Sequence, residues 1–359
     1  MRSFKARWLD TAAAARMQGQ PDAAAAAYLE VLALDPADLT SLRGLYYLQV
    51  GENTRQTLLS QLRQLICTAP PHPLAHFLLA HWLRQVETAE ALELNRQAAR
   101  QGLPRQRLAP VGSAAAAGGL PEVVILGAPK SGTTSLAAYL AGHPSVWLHP
   151  LKELHFFDNH WELGEVWYRS QFPPLRSPGL LRLEATPDYL QHPMAPQRMH
   201  TLMPETRLIV LLREPLERAL SWIRHMRSLI GLQGDSEALL RDEAERLEAL
   251  AEAELAGLGW FRPNALSGSL YAQQLRRWLA VWPASQLLLL RFEDLALHPE
   301  AVLRRCLAFL DLDSEAALAG RSYPVHNSGV LPRESIDPAL ARRCREGVLA
   351  EALELWNGL

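Results

Sequence analysis

The chain has 359 residues, a length that favours two domains, and 48% of them are hydrophobic, which is enough for at least one sizeable core. A formal net charge of −2 argues against a protein that gathers nucleic acid through its overall field, so we expect any anion site to be local. The three cysteines are scattered without a CxxC motif, which argues against a disulfide framework or a cysteine-based metal site and favours a reducing compartment.

The N-terminal stretch is basic but lacks the apolar segment of a signal peptide; it reads MRSFKARWLDTAAAARMQGQ. No uncharged apolar run in the chain reaches the ~18 residues of a membrane span. The sequence therefore predicts a cytoplasmic protein without a membrane span.

Residues 1–107 are rich in alanine, leucine, glutamine and arginine and predict helices throughout. Pro36, Pro70 and Pro104 are spaced 34 positions apart, which is the period of tetratricopeptide repeats. Such repeats usually bind a protein partner or mediate self-association, and extension of the acceptor cleft is a further alternative here. The alternative interpretation is a plain helical bundle in which the proline spacing arose by chance.

A linker over 108–121, rich in small residues, separates this region from an α/β domain over 122–359. Short apolar runs that alternate with helix-like stretches predict a parallel sheet flanked by helices. The strand candidates read EVVILG, SVWLH, LLRLEATP, TRLIVLLRE and QLLLLRFED. Residues 235–256 predict one charged amphipathic helix, either a solvated surface helix or a lid over an acceptor.

The first strand candidate is followed by GAPKSGTT, residues 127–134, and then by a predicted helix. Its two glycines have the spacing of a Walker A phosphate loop, but Thr133 occupies the usual lysine position and Lys130 lies inside the loop. Backbone N–H groups and the helix N-terminus are expected to converge on an anion here.

The strand RLIVLL ends in Arg213, where a nucleoside triphosphatase would carry an acid that helps to hold Mg²⁺. Ser221 follows eight positions later, two turns into the next predicted helix. We expect both side chains to reach one shared anion, with no need for a metal. A magnesium-dependent kinase or nucleotidase is the alternative, and the lysine position and Arg213 argue against it.

These ordered motifs resemble the sulfotransferases that use 3′-phosphoadenosine 5′-phosphosulfate (PAPS) as sulfuryl donor. The resemblance covers roughly 122–330 and includes the loop over 130–135, LLREPLERALS over 211–221 and the segment over 269–312. It implies a phosphate-loop α/β fold and transfer of a sulfuryl group to a hydroxyl or amine. An inactive, sulfotransferase-like scaffold is a further alternative, although the expected site residues are all present.

The resemblance also implies roles for individual residues. Lys130 would neutralise the bridging and leaving oxygens of the donor, and Arg213 and Ser221 would bind its 3′-phosphate. The 5′ group would be bound by the rest of the loop, namely Ser131, Gly132, Thr133, Thr134 and Ser135. Arg321, and more weakly Asn327, would clamp the nucleotide from the loop AGRSYPVHNSG.

The segment LHPLKELHFFD, residues 148–158, resembles the part of heparan-sulfate-type sulfotransferases that carries a catalytic glutamate, which aligns with Glu153. A glutamate beside aromatic residues is expected to have a raised pKa and to accept the acceptor's proton. His155 is the alternative base, or a packed residue close to the site.

The sequence says less about the acceptor than about the sulfuryl donor. Thr186, Pro187 and Tyr189 match the family, either to shape the acceptor cleft or, for Pro187, to form a turn. Ala185 stands where glycan sulfotransferases often carry a lysine. A glycan, a small metabolite and a protein tyrosine all remain open as acceptors.

Overall fold

The structure is a computed structural model that describes most of the chain. It covers residues 2–68, 72–84, 88–101, 103–110, 118–175, 180–250, 254, 265–314, 318, 322–326 and 334–359. Within these ranges, no helix is both long and apolar enough to cross a membrane.

The N-terminal region is helical, as predicted, and contains six helices in the described residues. They are α1 (Arg2–Met17), α2 (Pro21–Leu34), α3 (Leu39–Tyr46), α4 (Glu52–Thr68), α5 (Pro73–Leu83) and α6 (Thr88–Arg100). Pro36 follows α2 and Pro104 follows α6, whereas Pro70 lies outside the described residues. The succession of helices agrees with a helical domain, and its assignment to the tetratricopeptide class stays a prediction.

Five parallel strands form the sheet of the second domain, and all five were predicted from the sequence. They are β1 (Val123–Gly127), β2 (Val146–Leu148), β3 (Leu181–Ala185), β4 (Arg207–Leu212) and β5 (Leu287–Arg291). The order in the sheet is β2-β3-β1-β4-β5, which places β1 between β3 and β4. Because all strands are parallel, their carboxyl ends share one edge, where α/β proteins usually bind ligands.

Helices flank this sheet and follow it to the end of the chain. They are α7 (Thr133–Ala141), α8 (Phe156–Asn159), α9 (Gly164–Ser170), α10 (Ala195–Leu202), α11 (Pro215–Ile230), α12 (Ser236–Glu248), α13 (Tyr271–Leu279), α14 (Phe292–Leu297), α15 (Pro299–Phe309), α16 (Pro338–Glu346) and α17 (Ala350–Asn357).

The helix predicted over 235–256 is shorter than expected. Asp235 caps α12 by accepting the backbone N–H groups of its first turn, but the helix ends at Glu248 and continues as a turn. One of its carboxylates, Glu243, is buried and accepts the backbone N–H groups of Leu266 and Ser267. One face of α12 is therefore buried, because the Glu243 carboxylate hydrogen-bonds to the backbone of the α/β domain.

Apolar packing joins the two domains. One hydrophobic core runs from the helical domain, through Phe77, to Leu151, Leu154 and Phe156 beside the sheet. A second core fills the opposite face of the sheet under α7 and α15. Because burial of apolar surface is the main stabilising term in folding, the helical domain is anchored on the α/β domain through this shared core.

Candidate active site

The loop between β1 and α7 has the geometry of an anion-binding turn. Gly132 caps α7 with a φ of +85°, a conformation that side chains rarely adopt. A Cβ at this position would lie 2.8 Å from a ring carbon of Phe292, so both the backbone conformation and the space call for glycine. The turn therefore presents the N-terminal N–H groups of α7 to the carboxyl edge of the sheet.

The hydroxyl residues of this loop are mostly buried. Ser131 is fully buried, and Thr133 and Ser135 are nearly so. The Ser135 hydroxyl accepts the His326 backbone N–H at 3.0 Å and lies 3.4 Å from the His326 carbonyl. Ser135 thus links the phosphate loop to the segment over 322–326.

That segment packs on α7, where the sequence predicts a nucleotide clamp. The Tyr139 hydroxyl donates to the backbone carbonyls of Tyr323 and Pro324 at 3.2 and 2.9 Å. Arg321 and Asn327, the two predicted clamp residues, lie outside the described residues, so their roles stay predictions.

Four cations surround the phosphate loop. The pKa of Lys130 is lowered to about 8, mainly by burial and also by the charges of Lys152, Arg213 and Arg218, while Glu153 acts in the opposite direction. Mutual repulsion of buried cations is relieved when an anion binds between them. The cluster thus has the electrostatics of an anion site.

Arg213 follows β4 directly, and only 8% of the residue is exposed. Its guanidinium lies 4.9 Å from the centre of the Phe292 ring and 3.4 Å from both the Lys130 carbonyl and a Glu217 carboxylate oxygen. Ser221 lies two turns into α11, the next helix, as predicted. The arginine is therefore held against the phosphate loop by its neighbours.

Three candidate catalytic residues have strained backbones. Among the described residues, four other than glycine have a positive φ, and three of these are Lys130 at 71°, Glu153 at 76° and His155 at 52°. Such conformations cost roughly 1–3 kcal/mol each and cluster at functional sites. Backbone contacts hold the segment in place, since the Glu153 N–H donates to the Ala185 carbonyl at 3.1 Å.

The charge state of Glu153 differs from the expectation. Burial raises the pKa of its carboxyl, but the charges of Lys152, His155 and His225 outweigh burial, so the pKa is lowered rather than raised. The main partner is Lys152, whose Nζ lies 2.9 Å from Oε1 of Glu153. The carboxylate is therefore ionised near neutral pH and able to accept a proton.

Lys152 is a site residue that the sequence analysis missed. Its Nζ also donates to the Thr134 hydroxyl at 3.0 Å and lies 3.4 Å from the Thr133 hydroxyl. It thereby connects the glutamate to the first turn of α7. The only sequence signal was its position beside Glu153, which is equally typical of a surface charge pair.

His155 forms a buried ion pair. Its Nδ1 lies 2.7 Å from an oxygen of Asp158, a contact that raises the pKa of His155 to about 9 although burial alone would lower it. Burial and nearby carboxylates raise the pKa of Asp188 to about 6. A histidine that is protonated at neutral pH cannot accept a proton, which favours Glu153 as the base.

The side chains of His155, Asp158 and Asp188 bring atoms of metal-ligand type within 4.8 Å of one another. The Nδ1 atom of His155 already contacts Asp158, as expected for an ion pair between a protonated histidine and a carboxylate. The absence of a metal requirement stays a prediction.

Two residues predicted to shape the acceptor cleft instead hold a buried carboxylate. The Thr186 and Tyr189 hydroxyls each donate to Oε1 of Glu184 at 2.7 Å, and the Tyr168 hydroxyl donates to its other oxygen. Thr186, Tyr189 and Glu184 are fully buried. Pro187 opens a short 3-10 turn, in agreement with the turn interpretation.

The chain is similar to known proteins over its α/β domain. The family model described as "Sulfotransferase domain" matches residues 120–322. Human heparan sulfate glucosamine 3-O-sulfotransferase 6 is 34% identical over 193 residues, which cover 54% of this chain and 52% of the human protein. The bifunctional heparan sulfate N-deacetylase/N-sulfotransferase 1 of Caenorhabditis elegans is 29% identical over 199 residues, covering 54% of this chain and 22% of that protein.

Among solved structures, a sulfotransferase from Alicyclobacillus acidocaldarius is similar, with 26% identity and a TM-score of 0.52. The match covers 67% of this chain and 95% of that one. The chain spans about half or less of the length of the two curated relatives. Since the family model matches more than half of the chain, including the phosphate loop and the strand before Arg213, the chain belongs to the sulfotransferase family.

Proposed function

We propose that this protein transfers a sulfuryl group from PAPS to an acceptor hydroxyl or amine, with Glu153 as general base. The observation that carries the proposal is the cation cluster of Lys130, Lys152, Arg213 and Arg218 beside an ionised glutamate. It combines a site for a donor with two anionic groups, the 5′-phosphosulfate and the 3′-phosphate, with a group that accepts the acceptor's proton.

The residues at the carboxyl edge fit this donor. Lys130, Lys152 and the N–H groups at the start of α7 would hold the 5′-phosphosulfate, and Arg213 with Ser221 would hold the 3′-phosphate. Arg213 stands at the end of β4, where a triphosphatase carries an acid that binds Mg²⁺. We therefore expect protein cations to neutralise the negative charges of the donor. Transfer is then expected to proceed without a divalent metal.

The donor supplies the sulfuryl group: the acceptor oxygen or nitrogen forms a bond to sulfur while the bond to the adenosine bisphosphate breaks. Glu153 takes the proton that the acceptor loses, and its side chain is 31% exposed, so an acceptor has access to it. Lys130 is positioned to neutralise the negative charge that develops on the leaving phosphate.

Only the known relatives indicate which class of acceptor molecule this protein uses. The human and nematode relatives act on heparan sulfate according to their names. A glucosamine-containing glycan is therefore the first acceptor to test, ahead of a tyrosine peptide or a phenolic metabolite. The buried Ala185, in place of a lysine, predicts weaker use of highly sulfated chains.

The test uses radiolabelled PAPS with EDTA and a panel of heparan sulfate, desulfated heparan, a tyrosine peptide and a simple phenol. We expect metal-free transfer to at least one acceptor class, and Glu153→Gln should reduce it about 100-fold. The matched control is Glu162→Gln, since the Glu162 side chain is 70% exposed and the change should leave transfer intact. Full transfer by Glu153→Gln would refute the base assignment.

A further inference from the structure

The helical domain reaches the proposed base. Tyr47, which directly follows α3, lies with its hydroxyl 3.2 Å from the Lys152 carbonyl and 3.5 Å from Oε2 of Glu153. The Tyr47 hydroxyl therefore has two acceptors within reach, the Lys152 carbonyl and the Glu153 carboxylate. More than a hundred residues separate these partners in the chain, so the contact depends on how the domains pack.

Contacts at the start of α3 and near its end hold this helix within the helical domain. Asp38 caps α3 by accepting the Ser41 N–H at 2.7 Å, and Lys5 pairs with Asp38 at 2.7 Å. Gly44 lies against the Tyr28 ring, where a Cβ would come within 2.4 Å of a ring carbon. The glycine thus lets α3 approach α2 closely and fixes where Tyr47 emerges.

Aromatic contacts orient the Tyr47 ring. It packs edge-on against Tyr46 at 5.0 Å between ring centres, and Tyr46 packs on His81 at 4.2 Å. Such pairs contribute roughly 0.5–1.5 kcal/mol beyond burial and restrict ring orientation. The ring is therefore held from the side of the helical domain.

Interdomain contacts hold the two domains in register. Phe77 of α5 packs on the buried His149 ring at 4.4 Å, and the Asn95 amide donates to the Ser170 hydroxyl at 3.1 Å. The first contact joins the helical domain to the segment just before Glu153, and the second joins it to the end of α9. Tyr47 is consequently placed by a packed interface.

Several charged or titratable groups surround Glu153 on the elements packed against it. They are Lys152 and His155 of its own loop, Lys130 of the phosphate loop, Asp188 of the turn after β3, His225 of α11 and Tyr47 of α3. Although 45% of Tyr47 is exposed, desolvation of its hydroxyl end and the Glu153 charge raise the pKa of Tyr47 well above its usual value. The phenol therefore stays protonated and acts as a hydrogen-bond donor.

We infer that Tyr47 is a positioning residue for the base: its hydroxyl holds Oε2 of Glu153 while Lys152 holds Oε1, so the helical domain completes the acceptor side of the site. This inference rests on the proposed function, in which Glu153 takes the acceptor's proton. With both oxygens held, the lone pair that accepts this proton has a fixed direction, as proton transfer requires.

The test follows the Glu153 carboxyl by NMR in the full chain labelled with ¹³C at glutamate side-chain carboxyls, with Glu153→Gln for assignment. Loss of a donated hydrogen bond destabilises the ionised form, so Tyr47→Phe should raise the pKa of Glu153 by about 0.5 unit. Tyr46→Phe is the matched control, because it removes a hydroxyl from the adjacent, buried ring and should leave the Glu153 signal unchanged.

Tyr47→Leu gives a second version of the test, since it also lacks the hydroxyl and must produce the same upward shift. Unchanged affinity for adenosine 3′,5′-bisphosphate confirms that the variants are folded. An unshifted Glu153 titration in both Tyr47 variants would overturn the positioning role. The titration needs no sulfuryl transfer, so failure of the donor to bind would count against the proposed function alone.

Discussion

The Lys152 ammonium lies 2.9 Å from one carboxylate oxygen of Glu153 and 3.0 Å from the Thr134 hydroxyl on the first turn of α7. One lysine thus joins the proposed base to the proposed donor site. Only 13% of the Lys152 side chain is exposed, so its interaction with Glu153 is weakly screened by solvent.

Lys152→Ala should therefore raise the pKa of Glu153, because the carboxylate loses its closest cation. We expect an upward shift of about one unit, measured by carboxyl NMR or by the acid limb of the pH profile for transfer. Lys152→Arg keeps the positive charge and should shift the pKa less. Equal shifts in the two variants would show that the charge is not the cause.

Donor affinity should depend on the protonation of Lys130. The pKa of Lys130 is about 8 in the free protein, and a bound anion stabilises the charged form, so binding raises this pKa. Affinity for adenosine 3′,5′-bisphosphate should thus be highest below pH 8 and fall by up to about tenfold per pH unit above it. Calorimetry of Lys130→Met should show weaker binding with a flatter pH dependence, whereas the same steep fall in this variant would assign the titration to another group.

Gly132→Ala should damage both stability and donor binding. The substitution forces a left-handed conformation on alanine and places its Cβ 2.8 Å from the Phe292 ring, so we expect a loss of about 1–3 kcal/mol in the free energy of unfolding. Gly19→Ala is the matched control, because its φ is +67° but no atom lies within 4 Å of the new Cβ. Equal losses in the two variants would show that the Phe292 contact costs nothing.

The ion pair of His155 and Asp158 should stabilise the fold in a pH-dependent way. The pKa of His155 is raised from 6.5 to about 9, so its contribution is fully present below pH 6.5 and is lost as the pH rises through 9. Denaturant unfolding of wild type and His155→Asn should differ by on the order of 2 kcal/mol near neutral pH and converge above about pH 9. A constant difference would contradict the charged pair. Asp188, with a pKa of about 6, has largely ionised before this window begins.

The five strands and the phosphate loop were predictable because local signals determine them. Continuous apolar runs mark β1 and β4, and the glycine spacing around Lys130 marks the turn. The position of Arg213 beside this loop followed from the rule that parallel strands end at one edge. The helix after Asp235 was predicted to be longer than it is, because its charged sequence pattern continues past Glu248, where the helix ends.

The roles of Lys152 and Tyr47 could not be read from the sequence. Each depends on distances between segments far apart in the chain, which no periodicity encodes. The pKa of Glu153 was expected to be raised by neighbouring aromatic residues, but the nearby cations, visible only in the fold, determine its direction. Glu184 was missed although Thr186 and Tyr189 lie only two and five positions after it, since only the fold shows that these side chains are buried and bonded to one another.

The carboxyl edge of the sheet should bind a 3′-phosphorylated adenine nucleotide without a metal. The first measurement is calorimetric titration of the full chain, wild type and Arg213→Ala, with adenosine 3′,5′-bisphosphate in EDTA and separately with ATP and Mg²⁺. We predict tight binding of the bisphosphate without metal and a loss of about tenfold or more in Arg213→Ala, as expected for a charge-assisted contact. Preference for ATP with Mg²⁺, or unchanged bisphosphate affinity in Arg213→Ala, would rule out this donor site.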